Sequence, residues 1–381
     1  MAAVFLRLGL VSFGGPAAHI GLMRDEFVRR RGWLEDAVFV DLIGAANLIP
    51  GPTSTEVAMH VGYRRAGWAG LAVAGLAFLL PAVVIVAVLA VIYVEAGSLP
   101  AVEAIFAGIA PVVVAIVVGA GISLGRVALQ SPPVLVAAIA AAIGAALRLP
   151  EIGLLLGLGV IAMLVGEIRR SGSGLRGSPV AVLGPLGPPT AHGPGTLLAA
   201  TAVAAVATPV AILLEFLKIG AVLFGSGYVL VALLRSELVV GLGWITDRQL
   251  IDAIAVGQAT PGPIFSTATF IGYVVGGPIG ALVATIGVFL PAFVAVAVSI
   301  PILDRLRASP RAGDFLAGVN GAALGLLAVV GLQLAVDALI DPLAVTVAIV
   351  ACIALVRGVA VPWLILAGAL IGVGRIAVGG G

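Results

Sequence analysis

The sequence predicts an all-α polytopic membrane protein made of two inverted, homologous repeats that contain Pro/Gly-broken half-helices. Of its 381 residues, 61% are hydrophobic and only 10% are charged, whereas soluble domains carry about 25% charged residues. Many apolar runs are long enough to cross a bilayer of about 30 Å. The motifs of the first half also return in the same order in the second half. Together these observations predict about 10 to 12 transmembrane segments.

The repeated motifs fall at aromatic, acidic, glycine and proline positions. The matched pairs are Phe5 and Phe216, Gly9 and Gly220, Trp33 and Trp244, Asp36 and Asp247, Pro50-Gly51-Pro52 and Pro261-Gly262-Pro263, Gly62-Tyr63 and Gly272-Tyr273, and Pro81 and Pro291. An internal duplication with Pro/Gly breaks inside apolar segments is typical of secondary transporters, and the breaks mark the substrate site.

The chain divides into two repeats and a linker. Residues 1–167 form the first repeat and residues 168–195 a polar linker, in which several prolines prevent a helix. Residues 196–381 form the second repeat. It starts with an apolar stretch, Thr196–Leu214, that has no counterpart in the first half and would be an extra linker helix.

The first elements of each repeat fall short of the about 20 residues that a membrane-spanning helix needs on its own. In the first repeat, Gly14-Gly15-Pro16 separates Ala2–Phe13 from Ala17–Val28, and Pro50-Gly51-Pro52 separates Trp33–Ile49 from Thr53–Gly62. We interpret them as half-helices or re-entrant hairpins, which are tolerated at membrane depth only where protein or a wet cavity covers them. If the first hairpin is re-entrant, Thr196–Leu214 must cross to make inversion work. If it crosses, no linker helix is needed.

Longer apolar spans follow in both repeats. They are Gly67–Tyr93, Pro100–Gly125, Pro133–Leu147 and Glu151–Gly166 in the first repeat, and Ile279–Ile300, Phe315–Val336, Leu343–Val356 and Val361–Val378 in the second. Basic loops alternate with non-basic loops, but the two halves alternate out of phase: Glu95 and Glu103 occupy the loop whose counterpart holds Arg305 and Arg307. Arg148 is the one poor fit. The positive-inside rule therefore predicts antiparallel halves.

The Pro-Gly-Pro breaks are the strongest functional signal. Helix hydrogen bonding must stop at them, and a new half-helix then starts with free amides and a positive dipole end that suit an oxyanion. Kinks that serve helix packing alone are the alternative. The predicted substrate-binding residues are Pro50, Gly51, Pro52, Thr53, Ser54, Thr55, Pro261, Gly262, Pro263, Ser266 and Thr267, with Gly14, Gly15, Gly225, Ser226 and Gly227 at a second pair of breaks.

Two matched cations, Arg7 and Lys218, lie inside apolar segments and are predicted to offset the charge of an anionic substrate. Lys218 is the only lysine in the chain. The alternative is that Lys218 pairs with Glu215 one turn earlier or reaches the membrane interface. Arg24, Arg235, Asp36 and Asp247 are expected to anchor topology and cap helices.

The remaining matched polar positions are two deeper acids, Asp41 and Asp252, and the amides Asn47 and Gln258. We expect coupling or structural roles for these, because they retain polarity in so apolar a chain. Cys352 has no partner cysteine, the three histidines lack metal-ligand spacing, and no phosphate-binding loop is present. We therefore expect no cofactor, no metal and no catalytic residues.

Arg7 interrupts the first apolar run, so no cleavable signal peptide is expected. The chain starts abruptly at the first motif, and a few natural N-terminal residues are expected to precede it. The net charge of +2 is carried by short loops, so nucleic acid is not expected as a partner.

At these residues the chain resembles the chromate ion transporter family in its two-domain long form. The resemblance is carried by the motif at Gly9–Pro16, by Trp33, by Pro50-Gly51-Pro52 before Gly62-Tyr63, and by their second-half counterparts. It covers nearly the whole chain and implies chromate efflux across the bacterial inner membrane, with sulfate as the natural structural analogue. Gly225-Ser226-Gly227 replaces Gly14-Gly15-Pro16, so the two half-sites are not expected to be equivalent.

We therefore predict a multi-pass inner-membrane transporter, not an enzyme, that exports a tetrahedral oxyanion by alternating access. Its partners would be that oxyanion and the lipid bilayer, and a homodimer is left open. The alternatives are a sulfate or molybdate channel, a carrier of the other direction, and an intramembrane enzyme acting on a lipid-linked phosphate.

Overall fold

The computed structural model describes residues 1–96, 99–128, 130–172, 206–224, 227, 229–302, 305 and 309–377, and in these the regular secondary structure is helical, with one isolated bridge between Pro50 and Phe224. The first repeat contains α1 (Ala2–Val11), α2 (Pro16–Arg24) with a π-helical turn (Asp25–Arg30), α3 (Asp36–Ala46), α4 (Thr53–Ala96), α5 (Pro100–Ala128), α6 (Pro132–Ala146) and α7 (Glu151–Gly172).

The second repeat has the same order of elements. It contains α8 (Pro209–Val222), α9 (Val229–Leu234) with a π-helical turn (Arg235–Gly241), α10 (Asp247–Ala259), a 3₁₀ turn (Ile264–Ser266), α11 (Thr267–Ser299) with a 3₁₀ turn (Ile300–Ile302), α12 (Pro310–Ala338), α13 (Pro342–Val356) and α14 (Val361–Ala377).

Five of the described helical segments are long and apolar enough to cross a membrane. They are Thr53–Ala96, Pro100–Arg126, Glu151–Ser171, Ile264–Ile302 and Pro310–Ala338. Shorter apolar helices accompany them at Ala2–Val11, Pro132–Ala146, Pro342–Val356 and Val361–Arg375. The prediction of an all-α polytopic membrane protein is confirmed.

Helices α4 and α11 each fold back on themselves. Non-helical dihedral angles at Ala66 and Gly67 interrupt α4, and the same pattern recurs at Gly276 and Gly277 in α11. The backbones then touch: a Cβ on Gly62 would lie 2.3 Å from the carbonyl oxygen of Gly70. Each helix therefore has a short arm and a long arm, residues 53–65 and 67–96 in α4 and residues 267–275 and 277–299 in α11.

The two repeats are interleaved in the membrane core. Helix α5 packs against α13 and α14 of the second repeat, while α12 packs against α6 and α7 of the first. Small residues permit these close crossings. Gly108 lies against Gly368 and Gly372, and Gly325 lies against the carbonyl oxygen of Ala138. Each repeat therefore completes its packing with helices of the other.

Helices α7 and α8 are the described elements nearest to the predicted linker. Helix α7 continues to Gly172, past the expected start of the linker at residue 168, and Arg170 at its end pairs with Asp314 on α12. Helix α8 starts at Pro209, where the Thr208 side chain accepts a hydrogen bond from the Ala211 amide. Leu214 therefore belongs to α8. Residues 173–205 lie outside the described residues.

Candidate functional site

The Pro/Gly breaks of both repeats meet around one narrow cavity of about 30 Å³. Its lining residues are Gly14, Gly15, Pro16, His19, Pro52, Thr53 and Ser54 from the first repeat and Gly227, Gly257, Gln258, Thr260, Gly262, Pro263, Ile264 and Phe265 from the second. Most of the residues predicted from the breaks thus lie in or next to one site. Gly225 and Ser226 lie outside the described residues.

Helix N-termini face this cavity. Helix α2 starts at Pro16 and α4 at Thr53, both lining residues, and the 3₁₀ turn leading into α11 starts at the lining residue Ile264. The first amides of a helix have no partner within the helix and carry a partial positive charge. Apart from His19, the lining residues have no ionisable side chain. The cavity therefore offers N–H donors and hydroxyls with few fixed charges.

Each Pro-Gly-Pro break is held by the opposite repeat. The Gly51 amide donates a 2.8 Å hydrogen bond to the carbonyl oxygen of Leu223, at the end of α8, and the Gly262 amide donates a 2.7 Å bond to that of Ser12, at the end of α1. Both glycines have positive φ angles, 139° and 99°, which other residues adopt at a cost. The breaks are thus fixed in position by exchanged main-chain contacts.

Buried polar atoms without a hydrogen-bond partner are concentrated at these breaks. Among the described residues they include Ser12 Oγ, His19 Nε2, Thr55 Oγ1, Glu56 Oε1 and Oε2, Ser266 Oγ and Thr267 Oγ1. A buried polar group left unpaired costs about 1–3 kcal/mol. Native proteins keep few such groups, and each calls for an explanation such as a ligand, ion or water. The region is therefore suited to a polar ligand.

His19 is a lining residue that sequence reasoning missed as a site residue. Its Nδ1 lies 3.2 Å from Ser54 Oγ, and its Nε2 is buried without a partner. His19 lies in the first turn of α2, directly after the Gly14-Gly15-Pro16 break. Its position after the break is the signal that could have identified it.

Lys218 and Arg7 do not line the cavity. Lys218 Nζ lies 2.7 Å from a carboxylate oxygen of Glu215 and 2.7 Å from one of Glu237. The alternative considered for Lys218, an ion pair with Glu215, is thus observed. A cation in an apolar segment is stable there when carboxylates surround it.

Arg7 is exposed on α1, on the side of Glu26. The hydrogen bond from Arg31 lowers the pKa of Glu26 more than burial raises it, and the charges of Arg30, Arg31 and Arg7 lower it further. Glu26 and Glu237 are matched positions of the two repeats. Both cations thus belong to clusters with glutamates.

The matched polar pairs differ between the repeats. Asp252 is buried and accepts a 2.8 Å hydrogen bond from the Tyr93 hydroxyl, and Gln258 lines the cavity. Their first-repeat counterparts are exposed, Asp41 on α3 and Asn47 directly after it. Helix α10 packs against α5, α12 and α14, whereas α3 packs mainly against α4. The two half-sites are therefore not equivalent in this conformation.

The predicted anchors form matched ion pairs. Arg24 donates two 2.6 Å hydrogen bonds to Asp36, and Arg235 donates bonds of 2.7 and 3.2 Å to Asp247. The hydrogen bond from Arg24 lowers the pKa of Asp36. Arg24 at the end of α2 and Arg235 at the start of the second π-helical turn are thereby joined to the first residues of α3 and α10. These ion pairs thus fix how the end of α2 lies against α3 and how the turn after α9 lies against α10, and none of the four residues lines the cavity.

Comparisons with known proteins agree with the resemblance seen in the sequence. A family model described as "Chromate transporter" matches residues 1–165 and 210–373. A chromate transport protein of Pseudomonas aeruginosa is 35% identical over 343 residues, covering 87% of this chain and 80% of the relative.

Two further relatives are similar over most of their length. A probable chromate transport protein of Synechococcus elongatus is 32% identical over 326 residues, 85% of this chain and 81% of the relative. A chromate transport protein of Cupriavidus metallidurans is 30% identical over 372 residues, 97% and 90%. No solved structure matches the chain.

Proposed function

Because the chain belongs to the chromate transporter family, we propose that it is a secondary active transporter that exports chromate or a similar tetrahedral oxyanion by alternating access. The observation that carries this proposal is the convergence of both repeats' breaks on one cavity. Helix N-termini are established anion sites. In so narrow a cavity, a bound dianion would contact both breaks at once. Gly15, Thr53 and Ser54 are the residues we assign to it, with Gly262 forming part of the cavity wall on the side of the second repeat.

An inverted relationship of the two repeats supports alternating access. The guanidinium of Arg65 lies 5.4 Å from the ring centre of Trp33, which precedes α3. At the start of α10, the matching helix, Arg248 lies 3.8 Å from Glu103. Arg65 and Glu103 lie beyond opposite ends of the long arm of α4, which spans about 45 Å at 1.5 Å per residue. The matching helices would therefore start at opposite faces.

Ion pairs elsewhere agree with this arrangement. Arg311 at the start of α12 pairs with Glu167 near the end of α7, and Arg375 near the end of α14 pairs with Asp341, which follows α12. Following the chain from Arg65 through successive crossings puts the first pair on the face of Arg65. It puts the second on the face of Glu103. The repeats would then be related by an axis in the membrane plane.

The central cavity shares lining residues with a larger cavity on one side only, as expected for one state of an alternating-access cycle. Gly14 and Pro16 also line a larger cavity of about 430 Å³, which runs along α5 past Ser123 and Arg126. We interpret this cavity as the open path from the site to one face. Arg126 would attract an anion at its mouth.

The corresponding crevice along α12, of about 670 Å³, includes Arg235 and Gln333 and none of the residues that line the central cavity. There Arg235 Nη1 donates a 2.7 Å hydrogen bond to Gln333 Oε1. We interpret this contact as the closed gate on the opposite face. A negative-inside potential favours the exit of a dianion by about 2.3 kcal/mol per charge per 100 mV, so the membrane potential itself contributes driving force for export, alongside any exchange of protons or anions.

Transport in proteoliposomes tests the proposal. A carrier should show saturable chromate and sulfate uptake and accelerated exchange when unlabelled sulfate is trapped inside, whereas a channel should show neither. The double variant Thr53→Val/Ser54→Ala should lower uptake strongly, while Thr346→Val, on the exposed face of α13, serves as the matched control. Wild-type uptake by the double variant at equal protein level would refute the site.

A further inference from the structure

We propose that Glu56 is a proton-binding residue of this transporter, and that its proton is taken up in step with oxyanion binding at the adjacent helix terminus. The inference rests on the transport function proposed above. Glu56 is not one of the residues that line the cavity, but it lies next to them, in the first turn of α4.

The position of Glu56 is defined by burial and by one close contact. It is in the first turn of α4, three residues after the lining residue Thr53, and its side chain is 0% exposed. Both carboxyl oxygens are buried without a hydrogen-bond partner. A Cβ on Gly51 would lie 2.5 Å from Glu56 Oε1. The carboxyl group therefore contacts Gly51 of the Pro-Gly-Pro break, and the next residue of that break, Pro52, lines the cavity.

This setting favours the neutral carboxylic acid. An ionised carboxylate removed from water costs several kcal/mol unless a cation or several donors compensate it. Neither carboxyl oxygen of Glu56 has a donor within hydrogen-bond distance in the described part of the chain. In the conformation described here, Glu56 thus holds a proton.

Ionised Glu56 and a bound oxyanion would compete for the same positive charge. The positive end of the α4 dipole falls within the first turn, where Glu56 and Thr53 both lie. A carboxylate there would neutralise the helix end and repel a dianion at the amides. When an oxyanion binds to protein in which Glu56 is ionised, Glu56 therefore takes up one proton from solution, and by linkage the bound oxyanion strengthens proton binding.

The second repeat has no acid at this position. Glu56 precedes Gly62 by as many residues as Ser266 precedes the matching Gly272. Ser266 Oγ is also buried without a partner. The Ser266 hydroxyl does not ionise between mildly acidic and mildly alkaline pH, so a proton would bind on the first repeat only. One proton per transport site is the expected stoichiometry.

The other titratable groups on α4 and on the elements packed against it can be separated from Glu56 by mutation. On α4 itself His60 lies one turn from Glu56, and Tyr63, Arg64, Arg65, Tyr93 and Glu95 lie farther along. The elements packed against α4 carry Arg7 on α1, His19 and Arg24 on α2, Asp36 and Asp41 on α3, Tyr273 on α11, and Asp247, Arg248 and Asp252 on α10. Across the break, Gly51 meets the apolar Ala292.

Calorimetric titration of the purified full-length protein with sulfate tests the inference. Sulfate is the probe because it stays a dianion from mildly acidic to mildly alkaline pH, whereas chromate does not. Wild-type affinity should fall by up to about tenfold per pH unit above the point where Glu56 ionises. Heats measured in two buffers of different ionisation enthalpy should reveal proton uptake. Glu56→Gln, of the same size, should bind at every pH as the wild type does at acidic pH.

The controls separate Glu56 from its neighbours and from the proposed function. Glu95→Gln, the same change at an exposed acid at the far end of α4, should keep the wild-type profile. Sulfate affinity that stays constant over the whole pH range, with no proton uptake at any pH, would overturn the role of Glu56 and leave the transport function standing. A pH profile that persists in Glu56→Gln and vanishes in His19→Gln or His60→Gln would overturn it equally. Failure of the wild type to bind either oxyanion at any pH would instead refute the transport function.

Discussion

Gly51 of the first repeat lies directly against Ala292 of the second: a Cβ added to Gly51 would be 2.6 Å from the Ala292 Cβ. The matching residues make the matching contact, because a Cβ on Gly262 would be 2.8 Å from the Cβ of Ala82. Each break is therefore pressed against the long arm of the opposite repeat. The site exists only where the two repeats meet.

Gly51→Ala should consequently distort the site. The added methyl group has no room beside Ala292 and Glu56, and φ of 139° disfavours alanine. We expect a loss of stability of about 1–3 kcal/mol and a stronger loss of transport, measured by thermal unfolding in detergent and by chromate uptake. Gly44→Ala, on α3 with nothing within 4 Å, is the control and should be tolerated. Equal behaviour of the two variants would contradict the close contact.

Gln333→Ala should open the gate that we assign to the Arg235–Gln333 contact. A hydrogen bond to a charged group contributes about 1.5–3 kcal/mol, enough to shift a two-state population tenfold or more. A cysteine at Gln258 in a Cys352→Ala background should be labelled mainly from the face of Arg126. Adding Gln333→Ala should create labelling from the opposite face, whereas Leu332→Ala, at an exposed neighbour, should not. Unchanged labelling would mean that Gln333 is not part of a gate.

Single cysteines at Gln130 and Ile340 should be labelled from opposite faces of the membrane. These exposed positions occupy matching loops, between α5 and α6 and between α12 and α13. Opposite labelling follows if the repeats are inverted, and an impermeant thiol reagent applied to intact cells and to inverted vesicles measures it. The Cys352→Ala parent without added cysteine sets the background. Labelling of both positions from one face would rule out inversion.

Lys218→Met should act on stability and leave substrate affinity alone. The substitution leaves Glu215 and Glu237 without their shared cation, and we expect a loss of about 1–2 kcal/mol because the group is partly exposed. The KM for chromate should stay within about twofold, because Lys218 does not line the cavity. Glu237→Gln should partly restore the stability of Lys218→Met. A large rise in the KM for chromate in Lys218→Met alone would show that Lys218 takes part in substrate binding.

The sequence predicts the broken elements well because proline and glycine act locally. Helix α4 starts at Thr53, as the Pro-Gly-Pro motif indicated. The role of Lys218 was ambiguous because one partner, Glu237, lies on a different element. Glu56 and His19 are distinguished only by burial and missing partners, which are tertiary properties. The difference between Asp41 and Asp252 depends on which helices cover α3 and α10, and no local pattern encodes that.

Through the exchanged hydrogen bonds, from Gly51 to Leu223 and from Gly262 to Ser12, each half of the molecule fixes the conformation of the Pro-Gly-Pro loop in the other half. If the gene were divided between the codons for Gly172 and Val206, neither product would by itself hold a finished binding pocket. Activity would then return only when the two polypeptides associate in the same bilayer, and the dose of the scarcer one would limit it.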